Sequence, residues 1–283
     1  MSTLYVVATP MGHLADISFR AIEVLKAVDV VLAEDTRHSR PLLAHYGIQK
    51  RLSALHAHNE HSQIEKIISG LGQGLSYALI SDAGTPLMSD PGAPLVRAVQ
   101  DAGFPVVPVP GDCAIIAALC ASGLSTESFC FEGFLPTKTV ALMKRLTLLA
   151  QEPRTWIFFE APHRILETLK CLNTVLNPER EVTIAREITK KFETIRRGPI
   201  AALFDWISAD PMQQKGEFVI LVSGFKAEPL AALSPETQAA LKILLSELSL
   251  TQAVRLATQI TGLKKRTLYE WALQYSQSKV ADH

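Results

Sequence analysis

The chain has 283 residues, more than the ~100–200 of an ordinary domain, and 48% of them are hydrophobic, enough to fill more than one core. Its 28 basic and 28 acidic residues cancel, so no global field draws it onto nucleic acid or a membrane surface, and nucleic-acid binding has to come from local patches. Cys113, Cys120, Cys130 and Cys171 show neither a Cys-x-x-Cys pair nor a spacing suited to zinc or a disulfide framework, and no apolar run approaches the ~18 residues of a membrane span.

From Met1 the chain enters an apolar, strand-like segment without a basic leader, which makes the cytoplasm the expected compartment and a membrane partner unexpected. Short apolar runs then alternate with helical periodicity, the order of α/β units with largely parallel strands. Residues 4–8 form the first strand. Ala21, Val24, Leu25 and Val28 share a helical face behind a cap at Asp16 or Ser18, and residues 30–33 form the second strand. Ile64, Ile67, Ile68 and Leu71 mark another helix, followed by strands at 77–80 and 106–109 and a helix over 114–121. A second series begins near Ser128: strand 129–134, a helix around 142–149, strand 155–159, a helix through Ile165, Leu166, Leu169 and Leu172, and strands 182–185 and 218–222. The expected architecture is two α/β domains, 1–122 and 123–227, with a ligand cleft between them. Glu228, Pro229, Ser234 and Pro235 mark a linker to a helical module at 235–283. Its stripes are Leu241, Leu244, Leu245 and Leu248, then Ala253, Leu256, Ala257 and Ile260, then, after Thr261-Gly262, Leu268, Trp271, Ala272 and Tyr275, a helix-turn-helix pattern.

Chemistry concentrates where strands end. The first strand runs into Thr9-Pro10-Met11-Gly12, where a dinucleotide-binding fold would carry Gly-x-Gly-x-x-Gly, so a pyrophosphate cradle is not expected. Ser81-Asp82-Ala83-Gly84-Thr85-Pro86, continuing to Ser89-Asp90-Pro91-Gly92, crowds small residues, hydroxyls and carboxylates at a strand's carboxyl end, the edge at which open α/β sheets bind ligands. Glu34-Asp35-Thr36-Arg37 and Phe159-Glu160-Ala161-Pro162-His163-Arg164 put mixed charge at two further strand ends. The run Ala185-Arg186-Glu187-Ile188-Thr189-Lys190-Lys191, with Arg196-Arg197 beyond it, is the densest basic stretch and reads either as a solvated loop or as a phosphate contact. His56, His58 and His61 lie close together without a cysteine partner, and no metal is expected there.

Taken together, these segments resemble the ribosomal RNA small-subunit cytidine 2'-O-methyltransferases, a branch of the tetrapyrrole-methylase superfamily. The resemblance covers nearly the whole chain and includes His58-Asn59-Glu60 and Glu132-Gly133-Phe134-Leu135-Pro136 besides the strand-end motifs. His13, Ala57 and Asp112 depart from the residues usual there, which are Asn, Asp and Pro. The resemblance implies a homodimer of two α/β domains that binds S-adenosylmethionine in the cleft and acts on ribosomal RNA. The donor is then expected against Pro10, Gly12, Ser81, Asp82, Gly84, Thr85, Met88, Cys113 and Ala114, with Phe159 or Glu160 closing from the second half. The proton acceptor is left open among Glu160, His163 and Glu187. Arg164, Arg186 and Lys190 are expected on RNA phosphates, together with Lys264, Lys265 and Arg266, three cations opening the last helix of the module. A tetrapyrrole substrate shares the donor-binding half, and a helix-turn-helix DNA-binding regulator shares the terminal module.

Overall fold

Residues 2–225 and 233–281 are described by the computed structural model. β1 (Leu4–Val7), β2 (Val30–Ala33), β3 (Arg51–Ala54), β4 (Tyr77–Ile80) and β5 (Val106–Val109) form a parallel sheet in the order β3-β2-β4-β1-β5. Strand alternation sends Val31 and Ala33 to one face and Val30 and Leu32 to the other, so β2 needs cover on both sides. Ala21 and Leu25 of α1 (Phe19–Ala27) and Leu43 of α2 (Thr36–His45) cover the first face. Ile67 and Leu71 of α3 (Glu60–Gly72) and Leu95 and Val99 of α4 (Ala93–Asp101) cover the second. Of the two expected caps, Ser18 holds α1, its Oγ accepting from Ala21 N at 3.1 Å.

The second sheet takes β6 (Phe129–Phe134), β7 (Thr155–Glu160), β8 (Glu181–Arg186), β9 (Thr194–Pro199) and β10 (Phe218–Val222) in the order β6-β7-β10-β8-β9. Only the β6–β7 pair is parallel, which corrects the expectation of largely parallel strands in this half. The cause is local: residues 187–193 between β8 and β9 are too few for the crossover helix that a parallel connection needs. Trp156, Phe158, Val182, Ile184 and Ile220 of one face pack under α6 (Thr139–Leu149), α7 (Ile165–Val175) and α8 (Ile200–Ala209).

The opposite face is covered by α5 (Ala114–Ser122), a helix expected to close the first half. Ile115, Ala118 and Leu119 of α5 pack on Ile157, Ala185, Val219 and Leu221 of the second sheet. α5 therefore packs with the second sheet, and residues 1–225 group as one compact unit that holds both sheets.

Residues 226–283 form the other unit. Glu228 and Pro229 of the expected linker lie outside the described residues, while Ser234 caps α9 (Pro235–Glu247). α10 (Leu250–Thr261) starts on a Ser249–Gln252 capping box and ends at a left-handed Gly262, and α11 (Lys265–Ala281) follows. Leu241, Val254, Ala257, Leu268 and Ala272 make the core. Val254 takes the place expected for Ile260, which is 68% exposed.

Leu119 is almost fully buried at the seam. Leu119→Ala is expected to destabilise the body by about 2–5 kcal/mol, because the cavity it leaves is walled by two elements that cannot both collapse inward. Denaturant unfolding followed by tryptophan fluorescence reads this, with Trp156 reporting from the core on the other face of the sheet.

Candidate active site

The ends of β1, β4 and β5 are stitched into one wall. Thr9 and Gly84 exchange backbone hydrogen bonds of 2.9 Å, and Thr9 Oγ1 donates to Ser81 O at 3.3 Å. Thr85 Oγ1 donates to Asp112 O at 2.7 Å, and Asp112 Oδ2 accepts from Met11 N at 3.3 Å. Asp112, one of the departures from the usual pattern, thus joins the first and third strand ends. Gly84 sits at φ +76°, and a Cβ there would meet Met11 Cγ at 3.3 Å, so only glycine suits both the backbone and the neighbour. In the following loop Leu87 and Ser89 hold φ values of +74° and +77° without being glycine, at a cost of about 1–3 kcal/mol each. Such strain persists only where the surroundings over-determine the backbone, and it flanks Met88 and Asp90.

The facing wall comes from β6, β7 and β10. Phe159 packs edge-on to Phe131 with ring centroids 4.9 Å apart, and Phe134 tilts against it at 5.6 Å. Between the walls lies a cavity of about 330 Å³. Gly84, Thr85, Met88, Cys113, Ala114 and Phe159 line it. Pro10, Gly12, Ser81 and Asp82 do not. Ser81 is buried with its Oγ on Ala83 O at 3.1 Å, and Asp82 accepts from Asp35 N at 3.2 Å. A Cβ on Gly12 would run into Lys190 Cγ, so this glycine lets the first wall abut the second half.

The three expected proton acceptors separate. Glu160 lines the cavity, but both its oxygens are taken, one by Thr168 Oγ1 at 2.6 Å and one by Ala161 N at 2.8 Å, with Arg164 Nε at 3.4 Å. His163 is exposed on the loop before α7 and is not part of the lining. Glu187 also lies off the cavity and binds Lys190 Nζ at 3.1 Å and Glu217 N at 2.9 Å. Burial raises the Glu187 carboxyl, and those two contacts outweigh it, leaving the pKa below the ordinary value.

The carboxylate that sequence reasoning did not nominate is Asp90, which lines the cavity. Burial, the nearby Glu34 and then Asp82 push its pKa up to about 6, against a hydrogen bond from Ser81 that lowers it. Glu34 is raised as well, by burial first and by Asp82 next. Phe134, Ile188 and Glu217 are among the other lining residues missed. Asp90 and Phe134 stood inside quoted motifs, whereas nothing in the local sequence marked Glu217.

The cations expected on RNA phosphates are spent internally in the body, which corrects that expectation for Arg186. Its side chain is buried, with Nη1 donating to Met212 O and Lys215 O at 3.3 and 3.1 Å and Nη2 to Phe192 O and Thr194 Oγ1 at 3.1 Å each. Arg164 donates to Leu135 O and Pro136 O at 3.1 and 3.0 Å. Lys190 bridges Glu187 and Glu217 at 3.1 and 2.9 Å; burial works against its ammonium, and these two acids outweigh it and raise the pKa. In the terminal unit Lys264 and Lys265 are exposed, and the side chain of Arg266 lies outside the described residues. Among the described residues no group of three or more His, Cys, Asp or Glu could hold a metal ion.

The model of the tetrapyrrole (corrin/porphyrin) methylases matches residues 3–203. The chain belongs to that family. Its methyl donor is S-adenosylmethionine, and a cavity of about 330 Å³, walled by Gly84 and by the apolar Met88, Ala114 and Phe159, fits a ligand of that class. A second model, of an RsmI C-terminal HTH domain, matches residues 231–276. Among curated methylases, a Pseudomonas aeruginosa protein named "Ribosomal RNA small subunit methyltransferase I" is 53% identical over 96% of this chain and 97% of its own. Proteins of the same name from Vibrio cholerae and Escherichia coli O157:H7 are 50% and 48% identical, each over 96% of this chain and 94% of its own. Among solved structures, a uroporphyrin-III-C-methyltransferase from Thermus thermophilus aligns with TM-score 0.56 at 19% identity, covering 79% of this chain and 94% of that one. A cobalt precorrin-4 methyltransferase aligns with TM-score 0.58 at 20% identity, over 78% and 94%. These structural likenesses establish the fold of this methylase.

Gly84→Val is expected to weaken S-adenosylmethionine binding roughly tenfold or more, read by calorimetry, because the added side chain enters the cavity wall from a strained backbone. Arg186→Ala should instead cost about 1–3 kcal/mol of stability by stranding its carbonyl partners, with no change in the salt dependence of RNA binding.

Proposed function

We propose that this protein transfers the methyl group of S-adenosylmethionine to the 2'-hydroxyl of a cytidine ribose in small-subunit ribosomal RNA, as a cytoplasmic homodimer. The observation that carries the reading is the reach of the similarity. The tetrapyrrole enzymes of known structure align over 78–79% of this chain, about the length of its 1–225 body. The curated relatives named for ribosomal RNA align over 96%, a reach that takes in terminal helices. The added reach over the terminal unit supports an RNA substrate over a macrocycle. The cytidine ribose and the homodimer follow from the motif resemblance.

Chemically, in-line transfer to a hydroxyl asks for alignment of two substrates and a place for one proton. The facing walls supply the first, with backbone and small side chains on one side and aromatic rings on the other. The terminal unit supports RNA capture: Lys264 and Lys265 are exposed where α11 begins, a position at which cations oppose the helix dipole by about 0.3–1 kcal/mol each. Phosphate contact offsets that cost. Against a DNA-binding regulator, whose α/β body would sense a ligand, stands the match of residues 3–203 to the tetrapyrrole methylases and the near full-length similarity to relatives named as methyltransferases.

Mass mapping of small-subunit ribosomal RNA from a strain lacking the protein should show the loss of one ribose methyl on a cytidine; an unchanged methylation map would overturn the reading. The variant Lys264→Glu, Lys265→Glu, Arg266→Glu is expected to weaken binding of the ribosomal substrate and to reduce its log-log salt slope by about one for each phosphate no longer neutralised. Donor affinity should stay as it is.

A further inference from the structure

Three acids line the cavity: Asp90, Glu160 and Glu217. Glu160 has both oxygens engaged by Thr168 and Ala161, and Glu217, 79% exposed, is paired with Lys190 at 2.9 Å. Asp90 is the remaining one, and no cation pairs with it among the described residues. The groups that face it are Ser81 and Asp82 from the end of β4 and Glu34 from the end of β2. It follows Ser89, whose left-handed backbone closes the strained loop over the cavity.

The aromatic that lines the same cavity is equally unusual in its setting. Phe134 is 56% exposed although its ring rests on Phe159 with centroids 5.6 Å apart. It ends β6 where the register against β7 shifts, and the residue before it, Gly133, approaches the strained loop, a Cβ there lying 3.7 Å from Ser89 Oγ. That approach sets the aromatic ring and the unpaired carboxylate on neighbouring parts of one rim. A supported ring with one open face is a platform for an unstacked base, and a cation-free carboxylate beside it is a proton acceptor for the attached sugar.

We propose that Phe134 and Asp90 form the acceptor subsite, in which a nucleotide drawn out of the RNA stacks its base on Phe134 and places its ribose hydroxyl against the Asp90 carboxylate. Asp90 takes the hydroxyl proton as the ribose oxygen forms its bond to the methyl carbon. The methyl–sulfur bond breaks, its electron pair stays on sulfur, and the sulfonium leaves as a neutral thioether, so one carboxylate, one hydroxyl and one sulfonium become one carboxylic acid, one methyl ether and one thioether. Burial first, and then Glu34 and Asp82, keep the carboxyl basic enough for this task, and the acid then returns its proton to solvent. The proposal rests on the RNA-methylating reading above.

The test compares the intact protein, Asp90→Asn, Phe134→Ala and Phe134→Trp on small-subunit particles lacking the methyl. Asp90→Asn should lower kcat about 10²–10⁴-fold. It should also remove the acid limb near pH 6, leaving calorimetric affinity for S-adenosylmethionine and the Kd for RNA within about twofold. Phe134→Ala should weaken RNA binding about 5- to 150-fold, with donor affinity unchanged and Phe134→Trp restoring it. Full kcat and an unaltered pH profile in Asp90→Asn overturn the proton-acceptor role. Loss of donor affinity in Phe134→Ala, with RNA affinity retained, shows that the ring serves the donor and overturns the subsite. An intact protein that leaves the ribosomal particles unmethylated overturns the functional reading itself, and the proposal with it.

Discussion

The constraint on which the molecule turns is that α5 starts from one sheet and buries a single apolar face on the other, while Ile116 and Cys120 stay exposed. It follows β5 directly, so its start is fixed by the first sheet, and its Ile115, Ala118 and Leu119 are buried on the second. Thr183 Oγ1, fully buried in the second sheet, donates to Ser122 O at 3.0 Å and pins the other end. One helix therefore ties the end of the first sheet to a face of the second. The cavity is the space left where this packing runs out: Ile115 and Val219 belong to the buried cluster and to the cavity lining alike. A cavity floored by core residues is shaped before any ligand arrives, which is what alignment of two substrates requires.

Around that floor, the polar groups are divided between those that hold the walls and those left free to act. Thr9, Ser81, Thr85 and Asp112 spend their hydrogen bonds on the backbone of neighbouring strand ends. In the second half Glu160 accepts from Thr168 Oγ1 and Ala161 N, and Arg186 donates chiefly to carbonyls outside the strands. In a buried setting an unpartnered donor or acceptor costs about 1–3 kcal/mol, so side chains that look catalytic by type are drawn into structural work unless the fold denies them partners. Asp90 keeps a hydrogen bond from Ser81 but is buried among acidic neighbours without a cation, and a pKa raised by burial first and Glu34 next is the physical trace of that arrangement.

This division also explains what the sequence could and could not disclose. β2 and β4 were legible because burial on both faces writes a continuous apolar run, and Gly84 and Thr85 because a dense turn at the end of such a strand is where a parallel sheet meets ligands. β3 and β9 were not, because edge strands are half solvated and keep polar side chains; Thr194–Pro199 carries Arg196 and Arg197 in a strand that composition alone presents as a basic loop. Arg186 misled for a different reason. A cation's sign is visible in sequence, but whether its donors face water or main-chain carbonyls depends on residues as distant as Met212 and Lys215. Glu217 and Phe134 reach the cavity through a strand start and a β-bulge, positions that no period in the sequence marks.

Neutral overall charge places a further demand on the arrangement. A chain whose 28 basic and 28 acidic residues cancel exerts little long-range pull on a polyanion, so an RNA substrate has to be held by short-range contacts. In the body, Arg164, Arg186 and Lys190 are committed to carbonyls and carboxylates, which removes three of its cations from that task. Under the proposed function a second compact unit on the same chain answers this, because RNA contacts made there raise the effective concentration of the substrate for the body. Cations close to Asp90 would lower its pKa and weaken it as a base. Under the proposed function, phosphate contacts made by the second unit therefore let Arg164, Arg186 and Lys190 keep the carbonyls and carboxylates that hold the body together.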